Sequence, residues 1–491
     1  MAKYDLCVIG AGPSGFAAAM RAIDFRKTVL IVEKEVIGGA GVTNGALSSK
    51  TWWELAKNVD ALYEHKSRYN LSTPEINFNQ LRDEVDAAVK ERKDQLIKHL
   101  EILRRRSTEG TSITFKKGEA FLKSPHLVEI TDDKGKEIIE AENIILATGS
   151  RPRKLDNIPI DEHIIMTSDG ISNLKEFPKS MVILGAGVIG CEFATIFSSM
   201  RCTKVNIIDK GDRILPFEDE DVVSVIEENM EAHDILIHRN SRMIRMEIVN
   251  GEVEYELEYA NGRKEVYHVE KALVSVGRVP NYETLGLEEI GVEMDDRGII
   301  DNDTQTSVPN IYAVGDITAD IALVNVGELE GRYAVERIFG TPARKLVYEN
   351  ISTIMFLNPE VAGVGLNELQ AQKKGIDYKV ATVDYALIPR AIAKRNTQGF
   401  VKMLVTDDDE MKILGLRVVG EHASSAMQAI SLLISMDKGI DEIAECVHPH
   451  PSIPEGIQEC VRLFLGTSIF KPYLGNKLMQ CKVHKCEIEK V

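Results

Sequence analysis

Apolar and polar positions alternate with two different periods along this chain. Residues 6–9 form an unbroken apolar run, and a second run, TVLIVEK, begins at residue 28. Runs of this length bounded by glycine predict buried strands, with a helix between them. Two further ranges, 51–65 and 78–106, also have helical character. In the second range the apolar residues form an approximate stripe at helical spacing.

The later part of the chain repeats this pattern and then changes it. Residues 112–150 alternate like short strands around a turn at 132–135, and further strands are predicted over 181–184 and 204–208. From about residue 348, strands such as VATVDY and FVKMLVT precede helices predicted over 424–436 and 453–465. The pattern therefore predicts an α/β first part and an α+β last part.

A glycine motif follows the first strand. Gly10, Gly12 and Gly15 have the G-x-G-x-x-G spacing, and the next strand ends at Glu33. The first glycine permits a tight turn, the second lets a pyrophosphate approach the backbone, and the third lets the helix pack closely. The acid can accept hydrogen bonds from ribose hydroxyls. Together these features predict a dinucleotide at the positive end of the following helix.

A second copy of the motif makes the first part an internal repeat. Gly185, Gly187 and Gly190 follow the strand at 181–184, and Asp209 comes directly after the strand at 204–208. Two such units predict two bound dinucleotides. Asp209 favours NAD over NADP because its carboxylate would repel a 2′-phosphate, although the nearby Lys210 and Arg213 leave NADP open.

Composition excludes some classes of partner. The 491 residues have a net charge of -17, which argues against general binding to nucleic acid or to an anionic membrane. No apolar run reaches membrane-spanning length, and the first strand begins too early to leave room for a signal peptide. We therefore expect a cytoplasmic protein. Its seven cysteines, an odd number, indicate reduced thiols.

The segment from Tyr4 to Lys50 resembles the flavin-binding start of the pyridine nucleotide-disulfide oxidoreductases, most nearly the dihydrolipoamide dehydrogenases among them. The similarity continues to about residue 470. This family has a C-x-x-x-x-C redox disulfide in a loop of the form GGTCLNVGCIPSK. Here the loop is GGAGVTNGALSSK, with Gly41 and Ala46 at the two cysteine positions. The family's flavin-to-dithiol relay therefore cannot run through these positions.

The resemblance implies a fold and a domain order. It implies an α/β protein with two Rossmann-like dinucleotide-binding domains, for FAD and NAD, and a C-terminal α+β dimerisation domain. Residues 1–150 and 285–347 would hold FAD, and residues 151–284 would hold NAD(H). Residues 348–470 would form the interface of a homodimer, followed by a tail at 471–491.

The resemblance also assigns site residues. HPHPSIPE at 448–455 is similar to the family's HAHPTLSE, which places the acid/base histidine at His450 and its orienting glutamate at Glu455. Lys50 and Glu192 match the charged pair beside the flavin N5. The FAD residues are expected to be Gly10, Gly12, Pro13, Ser14, Gly15, Glu33, Lys34, Gly39, Lys50, Ala147, Thr148, Gly149, Gly315, Asp316 and Leu323. The NAD residues are expected to be Gly185, Gly187, Val188, Ile189, Gly190, Glu192, Asp209, Lys210 and Gly277. No metal ligand is assigned.

The leading hypothesis is an FAD-dependent NAD(P)H oxidoreductase that passes hydride from NAD(H) to FAD and on to a small acceptor other than a disulfide. Loss of the two sulfurs is expected to enlarge the cavity beside Gly41 and Ala46 and to admit this acceptor. The enzyme would be a diaphorase or a transhydrogenase. Soluble transhydrogenases also depart from the disulfide, but they usually lack the His-x-His element kept here. His450 and Glu455 would then serve catalysis or form only an interface hydrogen bond.

Two alternatives stay open. In one, Cys481 and Cys486 of the tail, spaced C-x-x-x-x-C, supply a relocated dithiol. With His484 they would be one ligand short of a closed zinc site. A mobile basic tail with incidental cysteines is favoured, because termini are usually poorly ordered. In the other alternative the chain is a catalytically silent flavoprotein subunit of a larger dehydrogenase assembly.

Overall fold

The computed structural model describes residues 1–108, 110–318, 321–471 and 478–485. The chain divides into two compact units. The first contains residues 1–178, 246–253 and 270–346, and the second contains residues 179–245, 254–269 and 347–491. No helix in the described ranges has both the length and the hydrophobicity required to cross a bilayer.

The helices of the described chain have the following bounds: α1 Pro13–Asp24, α2 Gly39–Val42, α3 Ala46–His65, α4 Phe78–Arg105, α5 Val188–Ser199, α6 Glu220–Ala232, α7 Val324–Phe339, α8 Glu368–Lys373, α9 Pro389–Lys394, α10 Met427–Ser435, α11 Asp441–Ala444 and α12 Glu455–Phe464.

The strands before residue 250 are β1 Lys3–Ile9, β2 Thr28–Glu33, β3 Ser112–Lys117, β4 Glu119–Ser124, β5 Leu127–Asp132, β6 Gly135–Leu146, β7 Ser150–Pro152, β8 Ile165–Met166, β9 Ser180–Leu184, β10 Lys204–Ile208, β11 Leu236–His238 and β12 Ser241–Val249. The later strands are β13 Glu252–Tyr259, β14 Lys264–Val269, β15 Lys271–Val274, β16 Arg278–Pro280, β17 Met294–Asp295, β18 Gly298–Ile299, β19 Asp301–Asn302, β20 Gln305–Thr306, β21 Ile311–Ala313, β22 Ser352–Met355, β23 Val361–Gly365, β24 Tyr378–Asp384, β25 Phe400–Thr406, β26 Ile413–Val419 and β27 Met479–His484.

The first unit is built on a sheet whose central strands are parallel. They lie in the order β3-β2-β1-β6-β21. Both faces of these strands are covered by apolar cores, one of which includes residues of α1 and α7, which pack together. Burial on both faces explains why the strand sequences are nearly continuous apolar runs. The carboxyl ends of β1 and β2 therefore meet at one edge, where the first glycine motif begins.

The second unit combines a parallel arrangement with an antiparallel sheet. Strands β9, β10 and β11 are parallel neighbours, as the repeated motif predicts. The antiparallel sheet has the order β22-β23-β26-β25-β24-β27. Helices α10 and α12 pack on it over a buried apolar core. The predicted α/β fold with a C-terminal α+β part is confirmed.

Most predicted elements agree with the structure to within a few residues. Helix α4 spans almost the whole predicted range, and β9 and β10 match the predicted strands. The helix predicted over 51–65 begins earlier, at Ala46. The range 424–436 begins as a short 3-10 turn at Ala423–Ala426 before α10.

The prediction of a mobile tail is wrong for residues 478–485. Strand β27 pairs antiparallel with β24 and extends the sheet by one edge strand. Two further contacts hold it. The ring of His484 stacks on Tyr378 with 4.9 Å between centroids, and Lys485 Nζ lies 2.5 Å from the carboxylate of Asp407. Backbone pairing and these contacts overcome the usual fraying of a terminus. Cys486, the other half of the predicted tail dithiol, lies outside the described residues.

Candidate functional site

The first glycine turn has the three distinct glycine environments that the motif predicts. Gly10 adopts a left-handed φ of +104°, and a Cβ there would lie 2.3 Å from the carbonyl oxygen of Ala147. A Cβ at Gly15 would lie 2.0 Å from the carbonyl oxygen of Gly10. A Cβ at Gly12 would meet nothing within 4 Å. The turn is therefore closed by protein at its ends and open at Gly12, where a ligand can approach the backbone.

The carboxylate of Glu33 is hydrogen-bonded to the backbone of this turn. Its Oε2 accepts a hydrogen bond from the N–H of Ala11 at 2.7 Å, and its Oε1 accepts one from the N–H of Glu35 at 2.7 Å. A carboxylate has about four acceptor positions, so these two bonds leave capacity for hydroxyl donors. The acid thus fixes the loop and remains able to bind a diol.

The second glycine turn reproduces this geometry in the other unit. Gly185 has the same φ of +104° as Gly10, and a Cβ at Gly187 would meet nothing within 4 Å. Asp209 Oδ2 accepts from the N–H of Ala186 at 2.9 Å, and Oδ1 accepts from the N–H of Gly211 at 2.8 Å. The internal repeat is therefore confirmed in the hydrogen bonds as well as in the sequence. Helix α5 begins at Val188, so Val188, Ile189 and Gly190 form its first turn.

The loop that contains Gly41 and Ala46 is tightly constrained. Gly38 and Gly39 have φ values of +91° and +48°, and residues Gly39–Val42 form the four-residue helix α2. A Cβ at Gly41 would lie 2.4 Å from Cγ of Pro13. The prediction of an enlarged cavity at Gly41 is therefore wrong, because the ring of Pro13 already fills the space beside this glycine. Ala46 is the first residue of α3, whose fifth residue is Lys50.

Ser150 links two charged residues at the end of the first sheet. Its hydroxyl donates to Asp316 Oδ2 at 2.8 Å, and Arg278 Nε donates to the same hydroxyl at 2.7 Å. Arg278 Nη2 also donates to the carbonyl of Ser150 at 2.6 Å. The predicted residues Ala147, Thr148 and Gly149 lead into this link, and Gly149 has an open Cβ position with a φ of +66°. Neither Ser150 nor Arg278 belongs to a spaced motif, so the sequence alone does not indicate them as site residues.

Helix α7 and the residues before it pack closely on the first glycine turn, and glycines make this approach possible. A Cβ at Gly315 would lie 2.3 Å from Oγ of Ser14, and a Cβ at Gly327 would lie 2.2 Å from the same atom. The N–H of Gly315 donates to Glu330 Oε2 at 2.6 Å, and Glu330 is only 1% exposed. Helix α7 begins at Val324, directly after Leu323. Glu330 is another residue that no sequence motif indicated.

Glu192 and Lys50 belong to different units. Glu192 is buried on α5, and its Oε1 accepts a hydrogen bond from the N–H of Phe356 at 3.0 Å. Lys50 is partly exposed on α3. Their pairing beside a flavin stays a prediction, as do the ligand contacts of Lys34, Lys210 and Gly277.

The histidine and glutamate near the end of the chain are brought together as predicted. His450 Nδ1 lies 2.8 Å from Glu455 Oε1, and the N–H of Ser452 donates to Glu455 Oε2 at 2.7 Å. The His450 side chain is 69% exposed, whereas that of Glu455 is 21% exposed. Burial lowers the pKa of the neighbouring His448, whose Nε2 has no hydrogen-bond partner among the described residues. The pair can hold a proton at an imidazole that faces solvent.

Comparisons with known proteins identify the family to which the sequence is similar. A family model described as pyridine nucleotide-disulphide oxidoreductase matches residues 4–331, and the model of its dimerisation domain matches residues 351–461. A dihydrolipoyl dehydrogenase from Bacillus subtilis (strain 168) is 32% identical over 470 residues, which cover 95% of this chain and 97% of that protein. One from Geobacillus stearothermophilus is 34% identical over 469 residues, with 95% and 97% covered.

Solved structures share the fold at lower identity. LpdA from Mycobacterium tuberculosis has a TM-score of 0.84 and 23% identity, covering 94% of this chain and 100% of that one. The HOCl-induced flavoprotein disulfide reductase RclA from Escherichia coli, in its Cu(II) complex, has a TM-score of 0.83, 24% identity and the same coverage. The two family models together span most of the sequence and both units. The chain therefore belongs to the pyridine nucleotide-disulphide oxidoreductase family and carries that family's dimerisation domain.

Proposed function

We propose that the protein is an FAD-dependent NAD(P)H oxidoreductase that transfers hydride from NAD(H) to FAD and on to a small acceptor other than a disulfide. Family membership implies FAD and a nicotinamide dinucleotide as cofactors, and the dimerisation domain suggests a homodimer. One observation carries the proposal. At the position of the family's first cysteine stands Gly41, where a Cβ would be 2.4 Å from Pro13, and at the second stands Ala46.

The first unit offers a fitting FAD site. Gly12 and Gly149 leave open space at the backbone, Glu33 retains acceptor capacity, and Asp316 is held by Ser150. Bound FAD would accept a hydride from the nicotinamide and pass two electrons to the acceptor. The N–H groups at the start of α7, after Leu323, would favour negative charge on a nearby group. The same role for Lys50, paired with Glu192, is part of the proposal.

The second unit offers a fitting NAD site. Gly187 is open to a pyrophosphate, and Asp209 can accept from ribose hydroxyls. Positive side chains that a 2′-phosphate would need are engaged elsewhere: Arg239 pairs with Glu227 and Glu231, Arg242 pairs with Glu258, and Arg213 donates to the carbonyl of Pro216. Lys210 remains exposed beside Asp209. We therefore favour NAD over NADP.

His450 would supply the proton that a reduced acceptor requires. Glu455 engages Nδ1, so the remaining ring nitrogen can hold or release a proton at the exposed surface. Without sulfur at positions 41 and 46, a substrate disulfide has no thiol there to attack it. We expect little or no dihydrolipoyl dehydrogenase activity, and we place the protein in the cytoplasm.

An anaerobic titration tests this function. NADH should deliver two electrons per FAD without the long-wavelength band of a thiolate in contact with flavin. The reduced protein is then offered quinones, dyes, an oxidised nicotinamide and lipoamide, and the dihydrolipoyl dehydrogenase of Geobacillus stearothermophilus is assayed beside it for comparison. Uptake of four electrons, or brisk lipoamide turnover, would overturn the proposal. A Cys481→Ser/Cys486→Ser variant with unchanged acceptor turnover would exclude a tail dithiol.

A further inference from the structure

Two cysteines outside the proposed flavin site share one face of the C-terminal sheet. Cys460 lies on α12 and is fully buried. Its Sγ is 3.7 Å from the carbonyl oxygen of Ala381 on β24 and 3.6 Å from that of Val401 on β25. The thiol therefore rests directly on the two strands that α12 covers.

Cys481 lies on the C-terminal strand β27, which flanks β24 on the side opposite β25. It lies directly opposite Ala381 in the antiparallel pair of β24 and β27. The N–H of Asp384 donates to the carbonyl of Leu478 at 2.9 Å, so bonded pairs alternate from there and Ala381–Cys481 is a non-hydrogen-bonded pair. In such pairs the two side chains lie closest together and point to the same face.

The face is the one covered by α12. Ala381 and Val383 belong to the core that includes Cys460 and Ile457, whereas Val380 belongs to the core on the opposite face. Because side chains alternate along a strand, Cys481 projects to the α12 side together with Ala381. Helix α12 also contacts β27. The two thiols thus lie on either side of Ala381, on one face of the sheet.

The surroundings keep both thiols protonated. Burial raises the pKa of Cys460, and the negative charge of Glu459, and of Cys481 once it ionises, raises this pKa further. Cys481 is exposed on the edge strand, and its partial desolvation there raises the pKa of its thiol. Since the thiolate is the reactive form, both react slowly near neutral pH and faster as pH rises.

We propose that Cys460 and Cys481 are a modification site that forms a disulfide when the protein meets a low-molecular-weight disulfide. The Cys481 thiolate attacks a sulfur of the oxidant and releases one thiol as a mixed disulfide forms. The Cys460 thiolate then attacks Sγ of Cys481 and releases the second thiol. Two protein thiols lose their protons and two electrons, and the oxidant becomes two thiols. The new bond ties the C-terminal strand to the helix that begins at Glu455.

Peptide mapping of the full-length holoenzyme tests this bond. The protein carries Cys446→Ser, because Cys446 and Cys460 share the tryptic peptide 439–462, whereas Cys481 lies in 478–482 and Cys486 in 486–490. It is incubated with oxidised glutathione at about pH 8.5, where the thiolate fraction is larger. We expect a linked 439–462 and 478–482 pair and slower hydrogen exchange over β27. Dithiothreitol should reverse both effects.

Matched variants separate the outcomes. Cys481→Ser and Cys460→Ala should each abolish the linked pair, whereas Cys202→Ser, which changes an exposed cysteine, should leave it intact. A bond between peptides 478–482 and 486–490 would overturn the proposal in favour of the tail pair. Glutathione attached to Cys481 without further reaction, or no modification while Cys202 is glutathionylated, would also overturn it.

Discussion

Glu455 Oε1 lies 2.8 Å from His450 Nδ1, and Glu455 Oε2 accepts a hydrogen bond from the backbone N–H of Ser452 at 2.7 Å. One carboxylate thus fixes both the imidazole ring and the loop that carries it. Glu455 is the first residue of α12, so the helix sets the position of the ring. The arrangement leaves the second ring nitrogen of an exposed histidine available to another molecule.

Replacement of His450 by Gln should reduce acceptor turnover by roughly 100-fold, the lower range for loss of a general acid. Reduction of bound FAD by NADH should keep its rate, because that step needs no proton from His450. Stopped-flow reduction and steady-state turnover separate the two steps. Glu455→Gln should lower turnover by roughly 10-fold, the size of one charge-assisted bond. If both variants turn over at the original rate, the pair is only a structural hydrogen bond.

Replacement of Asp209 by Ala should weaken NADH binding by roughly 10- to 100-fold. The variant loses an acceptor for ribose hydroxyls, worth about 1 to 3 kcal/mol for charge-assisted bonds, and frees the N–H groups of Ala186 and Gly211. Asp212→Ala, an exposed acid in the same loop, is the matched control and should leave binding unchanged. Titration of flavin reduction or calorimetry measures the dissociation constants. Equal affinities in the two variants would contradict the assignment.

The glycine turns could be predicted from sequence because their geometry is local. Gly10 and Gly185 need a left-handed backbone directly after their strands, and the acids Glu33 and Asp209 follow them by 23 and 24 residues. The His450–Glu455 contact spans only five residues and was also predicted correctly.

The remaining contacts depend on residues far apart in sequence. Ser150 meets Asp316 only because β6 and β21 are neighbours, and Arg278 reaches Ser150 across the pairing of β7 with β16. The tail strand pairs with β24 although nearly one hundred residues separate them. Pro13 meets Gly41 because a helix start and a distant loop approach each other. No periodicity within one segment encodes such contacts.

Replacement of Gly41 by Ala should destabilise the protein. The new Cβ would lie 2.4 Å from Pro13 Cγ, so the loop or the proline ring must move, at about 1 to 3 kcal/mol for an overpacked site. Asn44→Ala, an exposed change in the same loop, is the control and should have little effect. Thermal unfolding of the two holoproteins gives the comparison. A Gly41→Ala protein as stable as the control would show that the space at position 41 is open.

Replacement of Lys402 by Met should destabilise the second unit by about 3 to 5 kcal/mol, because it leaves the buried carboxylate of Asp219 without its charged partner. Lys402 is 1% exposed, and its Nζ lies 2.6 Å from Asp221, 2.7 Å from Asp219 and 3.1 Å from Glu368. Lys412→Met breaks a pair with the exposed Asp437, where solvent screens the charges, and should change the stability little. Urea unfolding measures both. Similar losses in the two variants would contradict a special role for the buried cluster.

The contribution of Asp219 to the stability of the folded protein should decrease as the pH falls. Burial acts to raise the pKa of Asp219, but Lys402 and the N–H groups of Leu369 and Glu368 outweigh it, so the pKa lies below its ordinary 3.8. When the pKa of a carboxyl is lower in the folded protein than in the unfolded chain, the carboxylate stabilises the fold fully at pH values above the unfolded-state pKa. This stabilisation is lost as the pH falls through the folded-state pKa. The stability difference between wild type and Asp219→Asn should therefore be constant near neutral pH and shrink below about pH 4. Asp212→Asn serves as the exposed control, and thermal midpoints across acid pH measure the difference. A difference that grows on acidification would show that Asp219 is protonated in the folded protein.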